Sequence, residues 1–82
     1  MSAQQQFRLS QLEAGRSARI ERLLLQGAER RRLLDLGLTP GTLITHTLRS
    51  TLGDPTAYRV RGTVIALRKS QAEQIEVAPC EN

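Results

Sequence analysis

The stretch ERRRLLDLGLTPGTLI, residues 29–44, contains the signals that decide the fold. Its first half is helical in composition. The acidic Glu29 suits the positive N-terminal end of a helix, and Leu33 and Leu36 lie three positions apart on one face. The sequence therefore predicts a helix over residues 29–36.

Gly37 is predicted to end this helix. Glycine readily takes the left-handed conformation that follows many helices, and Leu38 is then expected to pack back onto Leu33, as in a Schellman motif. The next four residues, Thr39-Pro40-Gly41-Thr42, predict a type II turn, because proline presets the first central position and glycine supplies the positive φ of the second. The chain should reverse here and enter a strand.

Outside this stretch, alternating apolar and polar residues predict short strands. They cover residues 16–25, 44–49, 58–61, 64–67 and 75–77. The second and third strands should pair as a hairpin through a turn at Gly53-Asp54-Pro55. The uninterrupted apolar run 64–67 predicts a strand buried on both faces. Leu23-Leu24-Leu25 breaks the alternation of the first strand and predicts a bulge or a buried strand end.

Two capping-box matches, Ser10–Glu13 and Ser70–Glu73, predict single helical turns. Together with five short strands and one longer helix, they predict a mostly β fold with short helices: a small SH3-like five-stranded barrel with one inserted α-helix. Closing the barrel would also remove exposed sheet edges. Residues 7–78 are expected to form this domain, between a disordered tail, 1–6, and a flexible tail, 79–82.

Composition restricts the function as well as the fold. The net charge of the 82 residues is +4 and Lys69 is the only lysine, so the basic surface is nearly all arginine and suits carboxylates and phosphates. Nucleic acid, an anionic membrane surface and an acidic protein face all fit this charge. Cys80 is the only cysteine, which excludes an intramolecular disulfide and favours a reducing cytoplasm. The sequence predicts neither a signal peptide nor a membrane span.

Three pieces of the sequence, in order, resemble the FeoA family of bacterial ferrous-iron transport. They are RRLLDLGLTPGT (31–42), GDPTAYRVRG (53–62), and IALR (65–68) leading through Ala72 to Ile75 and Val77. The resemblance implies an SH3-like domain that works in the cytoplasm beside FeoB, a membrane permease with a GTP-binding domain. Such domains also end some iron-dependent repressors, but no helix-turn-helix region precedes this one, so a free-standing FeoA is expected.

Eight residues are candidates for contact with a partner. They are Arg30, Arg31, Arg32, Thr39, Pro40, Leu24, Arg59 and Arg61. Successive helical arginines spread over about 200° of the helix surface, so not all three can face one partner, and a merely solvated basic face is the alternative. The turn tip would be a preformed docking knob if it projects, and one of three successive leucines could be exposed. An arginine-finger role would need one arginine to reach a γ-phosphate, which the sequence does not specify.

No residue pattern predicts catalysis, a cofactor or an intrinsic iron site. The weak metal candidates are His46 and Cys80, and neither belongs to a cluster with ligand spacing. His46 falls on the inward face of its strand, which favours a hydrogen-bonded histidine. Nucleophile–base pairs with local support and P-loops are missing from the sequence, so the protein is predicted not to be an enzyme.

The leading hypothesis is an accessory or regulatory protein that binds the cytoplasmic part of the FeoB permease, and is recruited to the inner face of the cell membrane by it. One alternative is a small basic barrel that binds nucleic acid through Tyr58, Arg59 and Arg61, although such barrels usually supply several stacking aromatics. Another is a homo-oligomer bridged by metal at His46 and Cys80.

Overall fold

The structure is a computed structural model that describes residues 5–47 and 54–80. The elements in chain order are β1 (Phe7–Arg8), a 3₁₀ turn (Leu9–Gln11), β2 (Ser17–Leu23), α1 (Gly27–Asp35), β3 (Leu43–His46), β4 (Thr56–Val60), β5 (Thr63–Leu67), α2 (Lys69–Ala72) and β6 (Ile75–Pro79). The predicted strand end, Leu48 and Arg49, and the turn residue Gly53 lie outside the described residues.

The strands form one antiparallel sheet in the order β1-β6-β2-β3-β4-β5. The predicted hairpin is confirmed, since Ile44 pairs with Val60 and His46 pairs with Tyr58. The sheet has one strand more than predicted, because Phe7 and Arg8 pair with the end of the chain at Val77 and Glu76. This two-residue strand is too short for an alternating pattern to reveal it.

One hydrophobic cluster lies under the sheet and α1. Each longer strand contributes its alternate, inward-facing residues, as a half-buried strand should. The largest fully buried side chains are Leu9, Ile20, Leu33, Leu38, Ile44, Val60, Leu67, Ile75 and Val77. The core is therefore aliphatic, as the shortage of aromatic residues requires.

The predicted helix stop is confirmed in detail. α1 begins two residues earlier than predicted and ends at Asp35, with Leu36 as its C-terminal cap. Gly37 follows with φ +104°, and the N–H groups of Gly37 and Leu38 donate to the carbonyls of Leu34 and Leu33, each at 3.0 Å. These two bonds are those of a Schellman motif.

The type II turn is confirmed as well. Thr42 N–H donates to the carbonyl of Thr39 at 3.0 Å, and Gly41 takes φ +91°. Gly41 N–H also donates to Ile20 O at 2.7 Å, and the guanidinium of Arg19 donates to Gly41 O at 3.1 Å. The turn is thus held to β2 from both sides of Gly41.

Both single helical turns are present, but they begin earlier than the serines predicted. The N-terminal caps are Arg8 and Arg68, and their backbone N–H groups donate to the side-chain oxygens of Gln11 and Gln71, each at 3.0 Å. Glutamine at the third helical position supplies the acceptor that the prediction assigned to glutamate. The two segments, RLSQ and RKSQ, use the same device.

The prediction that 64–67 is buried on both faces is wrong. β5 is covered on one face only: Val64 is 55% exposed and Ala66 is also exposed, whereas Leu67 on the opposite face is buried. It is also an edge strand that pairs with β4 alone. A run of apolar residues is typical of a strand covered on both faces, but burial depends on what packs against each face of the sheet.

The first and last long strands differ slightly from prediction. β2 ends at Leu23, and its register against β6 shifts between Ile20 and Arg22. The sequence predicted a bulge or a buried strand end at residues 23–25, so the shift lies a few residues earlier than a bulge was expected. β6 extends through Pro79, which pairs with Ala18, so it is two residues longer at its C-terminal end than the predicted strand 75–77.

Candidate protein-docking surface

An open groove of about 310 Å³ lies between α1, β2 and the turn that follows α1. It brings together two of the predicted contact regions, the arginine-bearing helix and the Pro-Gly turn. Its lining residues are Gln6, Glu21, Arg22, Leu23, Arg30, Leu34 and Pro40. We call this set the α1 groove.

Of the three helical arginines, only Arg30 lines the α1 groove. Arg30 and Leu34 are four residues apart and so lie above each other on one face of the helix. Arg31 and Arg32 are also exposed but do not line the groove. Within the described ranges, no carboxylate forms an ion pair with any of the three. Their charges are therefore available to a partner.

The turn presents Pro40 on a fixed backbone. Pro40 is exposed, whereas the neighbouring Thr39 is half-buried and its hydroxyl lies 2.8 Å from that of Thr42. Because the turn's backbone and side chains are already hydrogen-bonded, a partner that packs on Pro40 would lose little conformational entropy by ordering it.

The charges across the groove are mixed. Arg22 forms an ion pair with Glu76 at 3.2 Å, and its side chain remains 64% exposed. Glu21 accepts a long hydrogen bond of 3.5 Å from the amide of Gln6. An exposed ion pair of this kind contributes little to stability, so Arg22 can leave Glu76 for a carboxylate of a partner protein at a small cost in free energy. The groove suits a protein surface that presents both a carboxylate and an apolar contact.

Leu24 is not the exposed leucine of its trio. It is half-buried, its backbone N–H donates to Gln74 O at 2.7 Å, and it does not line the α1 groove. Leu23 and Leu25 are 7% and 3% exposed. Leu23, rather than Leu24, is the leucine of this trio that lines the α1 groove.

Arg59 and Arg61 lie away from the α1 groove, on the β4–β5 hairpin. Arg59 is exposed on the outer face of β4, opposite Val64. Arg61 belongs to the hairpin turn rather than to a strand: it has φ +52° and precedes Gly62 at φ +81°. The Cδ of Arg61 lies over Gly37, 3.2 Å from the position a Cβ would take there. The turn residue is therefore packed against the helix stop.

The aromatic residue required by the nucleic-acid alternative is not accessible. Tyr58 is 2% exposed and its ring faces the core, on the side of the sheet opposite to Arg59. Burial raises the pKa of the Tyr58 phenol, and a hydrogen bond with Thr56 partly offsets this. A buried ring cannot stack on a base, so this alternative loses the residue that motivated it.

His46 is held by the backbone. Its Nδ1 lies 2.7 Å from the carbonyl oxygen of Leu12, which makes Nδ1 the protonated nitrogen, and its ring centroid is 5.2 Å from that of Tyr58. Nε2 is buried and has no hydrogen-bond partner in the part of the chain that the structure describes. Cys80 is half-buried in a separate cavity lined also by Glu13. Among residues 5–47 and 54–80, no three side chains of His, Cys, Asp or Glu are grouped to hold a metal ion.

Sequence reasoning missed three exposed apolar residues, two on the outer face of the sheet and one, Leu36, at the C-terminal cap of α1. Leu36, Leu43 and Val64 are 40%, 43% and 55% exposed. Leu43 pairs with Arg19 across β2 and β3, just as Val64 pairs with Arg59. Leu43 could have been found in the sequence, because it precedes the inward-facing Ile44 and so must face outward.

These features define a class: a small, antiparallel β domain with a preformed groove and an arginine-rich outer surface, suited to contact with another protein. None of the helices within the described ranges has the length and hydropathy needed to cross a membrane.

Comparison with known proteins identifies the family. The FeoA domain model matches residues 7–79. FeoA from Chlorobium tepidum has a solution structure that is 35% identical, covers 92% of this chain and 71% of its own, and superposes with a TM-score of 0.85. The zinc complex of FeoA from Stenotrophomonas maltophilia, described as a prokaryotic SH3 domain protein, is 31% identical, covers 87% and 88% of the two chains, and has a TM-score of 0.74. The chain belongs to the FeoA domain family.

A curated relative extends the comparison. The FeoA/FeoB fusion protein of Porphyromonas gingivalis (strain W83) is 39% identical over 71 residues, which are 87% of this chain and 8% of that protein. This chain therefore spans only a small part of that relative. The mostly β, SH3-like fold class predicted from the sequence is confirmed, as is membership of a family involved in ferrous-iron transport.

Proposed function

We propose that this chain is an accessory protein of bacterial ferrous-iron uptake that binds the cytoplasmic part of a FeoB-type permease and modulates its GTPase cycle. The observation that carries the proposal is the Porphyromonas gingivalis relative, in which the FeoA-like segment and FeoB are one polypeptide. Covalent fusion keeps two domains at a high effective concentration, which is an advantage when they act together.

The α1 groove is the docking site in this proposal. Arg30 supplies a positive charge that no carboxylate of the described residues pairs with, Leu34 an apolar wall and Pro40 a rigid, exposed tip. A carboxylate of the permease placed at Arg30 and an apolar side chain placed between Leu34 and Pro40 would satisfy all three. Binding in this way needs no rearrangement of the domain, since the turn is already fixed.

The test uses the complete permease, including its membrane part, reconstituted in lipid nanodiscs. Binding of the labelled chain is titrated without nucleotide, with GDP and with a non-hydrolysable GTP analogue, and GTP hydrolysis is then measured with and without the chain. Saturable binding and a changed hydrolysis rate are expected. If no nucleotide state supports binding, the proposal is wrong.

Two matched variants test the docking site separately. Arg30→Gln is expected to weaken binding roughly fivefold, whereas Arg32→Gln, the same change on the same helix outside the groove, should alter it less than about twofold. Equal losses in both variants would mean that the helix contributes only a general positive field. If neither variant weakens binding, the proposed function would still hold, but the α1 groove would be excluded as the docking site.

A further inference from the structure

β5 leaves a row of backbone groups without a partner strand. It pairs with β4 over Thr63–Leu67 and forms the edge of the sheet. In an antiparallel sheet, alternate residues of an edge strand direct their N–H and C=O groups away from the neighbouring strand. Within residues 5–47 and 54–80, no other strand or turn pairs with that outer side. The edge is therefore open to an added strand.

The composition of β5 does not protect this edge. Natural edge strands usually carry a lysine, a proline or a bulge that prevents pairing with another chain. The sequence Thr63-Val64-Ile65-Ala66-Leu67 contains no charge, no proline and no glycine, and three of its residues, Thr63, Val64 and Ala66, are exposed. A short β-branched and apolar edge of this kind is the feature to which extended peptides add as a further strand.

Positive charge surrounds the uncharged edge. Arg61 precedes β5, while Arg68 and Lys69 follow it, and all three are exposed. Arg59 lies one strand inward and on the same face as Val64, its cross-strand partner. The carboxylate at this end is Asp54, whose Oδ1 accepts a hydrogen bond of 3.0 Å from the N–H of Lys69. Cations therefore outnumber carboxylates around the edge.

This charge pattern distinguishes between two possible binding partners of the β5 edge, a second copy of the chain and an acidic segment of another protein. If β5 paired with a second copy of itself in the antiparallel register centred on Ile65, Arg61 would lie opposite Lys69, and like charges placed opposite each other across a sheet are destabilising. An extended segment with alternating carboxylates would instead place its charges beside these same cations. Self-association is thus disfavoured by the charges that favour an acidic partner.

We propose that the outer edge of β5 accepts an extended, acidic segment of a partner protein by strand addition. The backbone of the segment pairs with the N–H and C=O groups on the outer side of Thr63–Leu67. Its carboxylates lie on the outer face of the sheet, beside Val64, where they meet Arg59, Arg61 and Lys69. Its apolar side chains lie on the opposite face, beside the half-buried Ile65. This surface is separate from the α1 groove and goes beyond the proposed function, because the partner that it fits need not be the permease.

The test titrates the ¹⁵N-labelled full chain with the peptide Ser-Val-Glu-Val-Glu-Val-Glu-Ser and follows backbone amides by NMR. Amide signals of β5 are expected to shift, and hydrogen exchange should slow at every second residue of the strand. A peptide with lysine in place of glutamate should not bind, nor should one whose alternate backbone nitrogens are methylated. Absence of binding by the acidic peptide, or shifts confined to α1, would overturn the proposal, and so would equal binding of the methylated peptide.

A pair of variants at Val64 locates the contact. Val64→Glu, which places a carboxylate beside those of the peptide, is expected to weaken peptide binding roughly fivefold or more, whereas the nearly isosteric Val64→Thr should change it less than about twofold. Urea unfolding of both variants shows that each is folded before binding is measured. Sedimentation of the unmodified chain tests whether β5 pairs instead with a second copy of itself. A dimer that Val64→Lys disrupts would identify the second copy as the binding partner and contradict the proposal of an acidic partner.

Discussion

The helix-and-turn segment, Gly27–Thr42, and the β4–β5 hairpin, Thr56–Leu67, differ in how completely their backbone groups are paired. In the first, the helix stop is closed by the N–H of Leu38, and the turn is bonded to β2 through both the N–H and the carbonyl of Gly41. The second is paired along β4 but open along the outer side of β5.

This difference matters for how each region can bind a partner. A region with satisfied backbone groups presents a fixed shape, so it recognises another protein through side chains such as Arg30 and Pro40. A region with an open edge can recognise backbone itself, and the side chains then select among extended segments. Measurements on matched residues in the two regions test whether they differ in this way.

The largest expected effect comes from core truncation at the helix stop. Leu38→Ala should lower the free energy of unfolding by about 2–5 kcal/mol, because Leu38 is 0% exposed and the cavity would lie beneath both the helix stop and the turn. Val64→Ala on the open edge should cost less than about 1 kcal/mol, because Val64 is already half in solvent. Urea unfolding at pH 7 measures both.

The contrast would fail if the two substitutions had similar costs. A large loss for Val64→Ala would mean that the edge is covered, either within the chain or by a second copy. Repeating the measurement at two protein concentrations distinguishes these cases, since only association makes the loss depend on concentration.

The sequence could predict the helix-and-turn segment because its signals are local. Gly37 can be recognised as a helix stop and Pro40-Gly41 as a turn without knowing what lies beside them. The burial and the edge position of β5 could not be predicted in this way, since they depend on what packs against each face of the sheet and on the strand order. An apolar run is equally compatible with a central strand and with an edge that is kept free for a partner.

The candidate site was predictable only in pieces for the same reason. Arg30 and Pro40 were each recognisable as candidates, but their meeting in one groove with Arg22 and Leu34 depends on how α1 packs against β2. The two single helical turns show a smaller version of this problem. Their caps rest on Gln11 and Gln71, whereas the more familiar serine-and-glutamate pattern matched neighbouring residues.

A medium effect is expected from adding a methyl group at one glycine of each region, Gly37 in the helix stop and Gly62 in the hairpin turn. Gly37→Ala should cost about 2 kcal/mol, because φ is +104° and the new Cβ would lie 3.2 Å from Arg61 Cδ and 3.5 Å from the Cγ1 of the buried Val60. Gly62→Ala has φ +81° but nothing within 4 Å, so backbone strain alone should cost about 1 kcal/mol.

The difference between the two glycine variants reports on the packing between the helix stop and the hairpin turn. Combining each with Arg61→Ala, which removes the crowding side chain, should bring the cost of Gly37→Ala close to that of Gly62→Ala in urea unfolding. An undiminished cost would show that Val60, rather than Arg61, sets the limit.

The smallest effect concerns alkaline pH and the interior of the hairpin. Burial raises the pKa of Tyr58 above its ordinary value of 10.0, so the unfolded chain loses its phenolic proton at a lower pH than the folded chain does. The stability that Tyr58 contributes is therefore complete below pH 10 and declines as the pH rises through the pKa of the folded state. Urea midpoints measured from pH 8 to 11 should fall more steeply for the unmodified chain than for Tyr58→Phe. If the two urea-midpoint curves were parallel, the Tyr58 phenol would be in contact with water. The inner face of β4, the strand with which β5 pairs, would then be accessible to solvent.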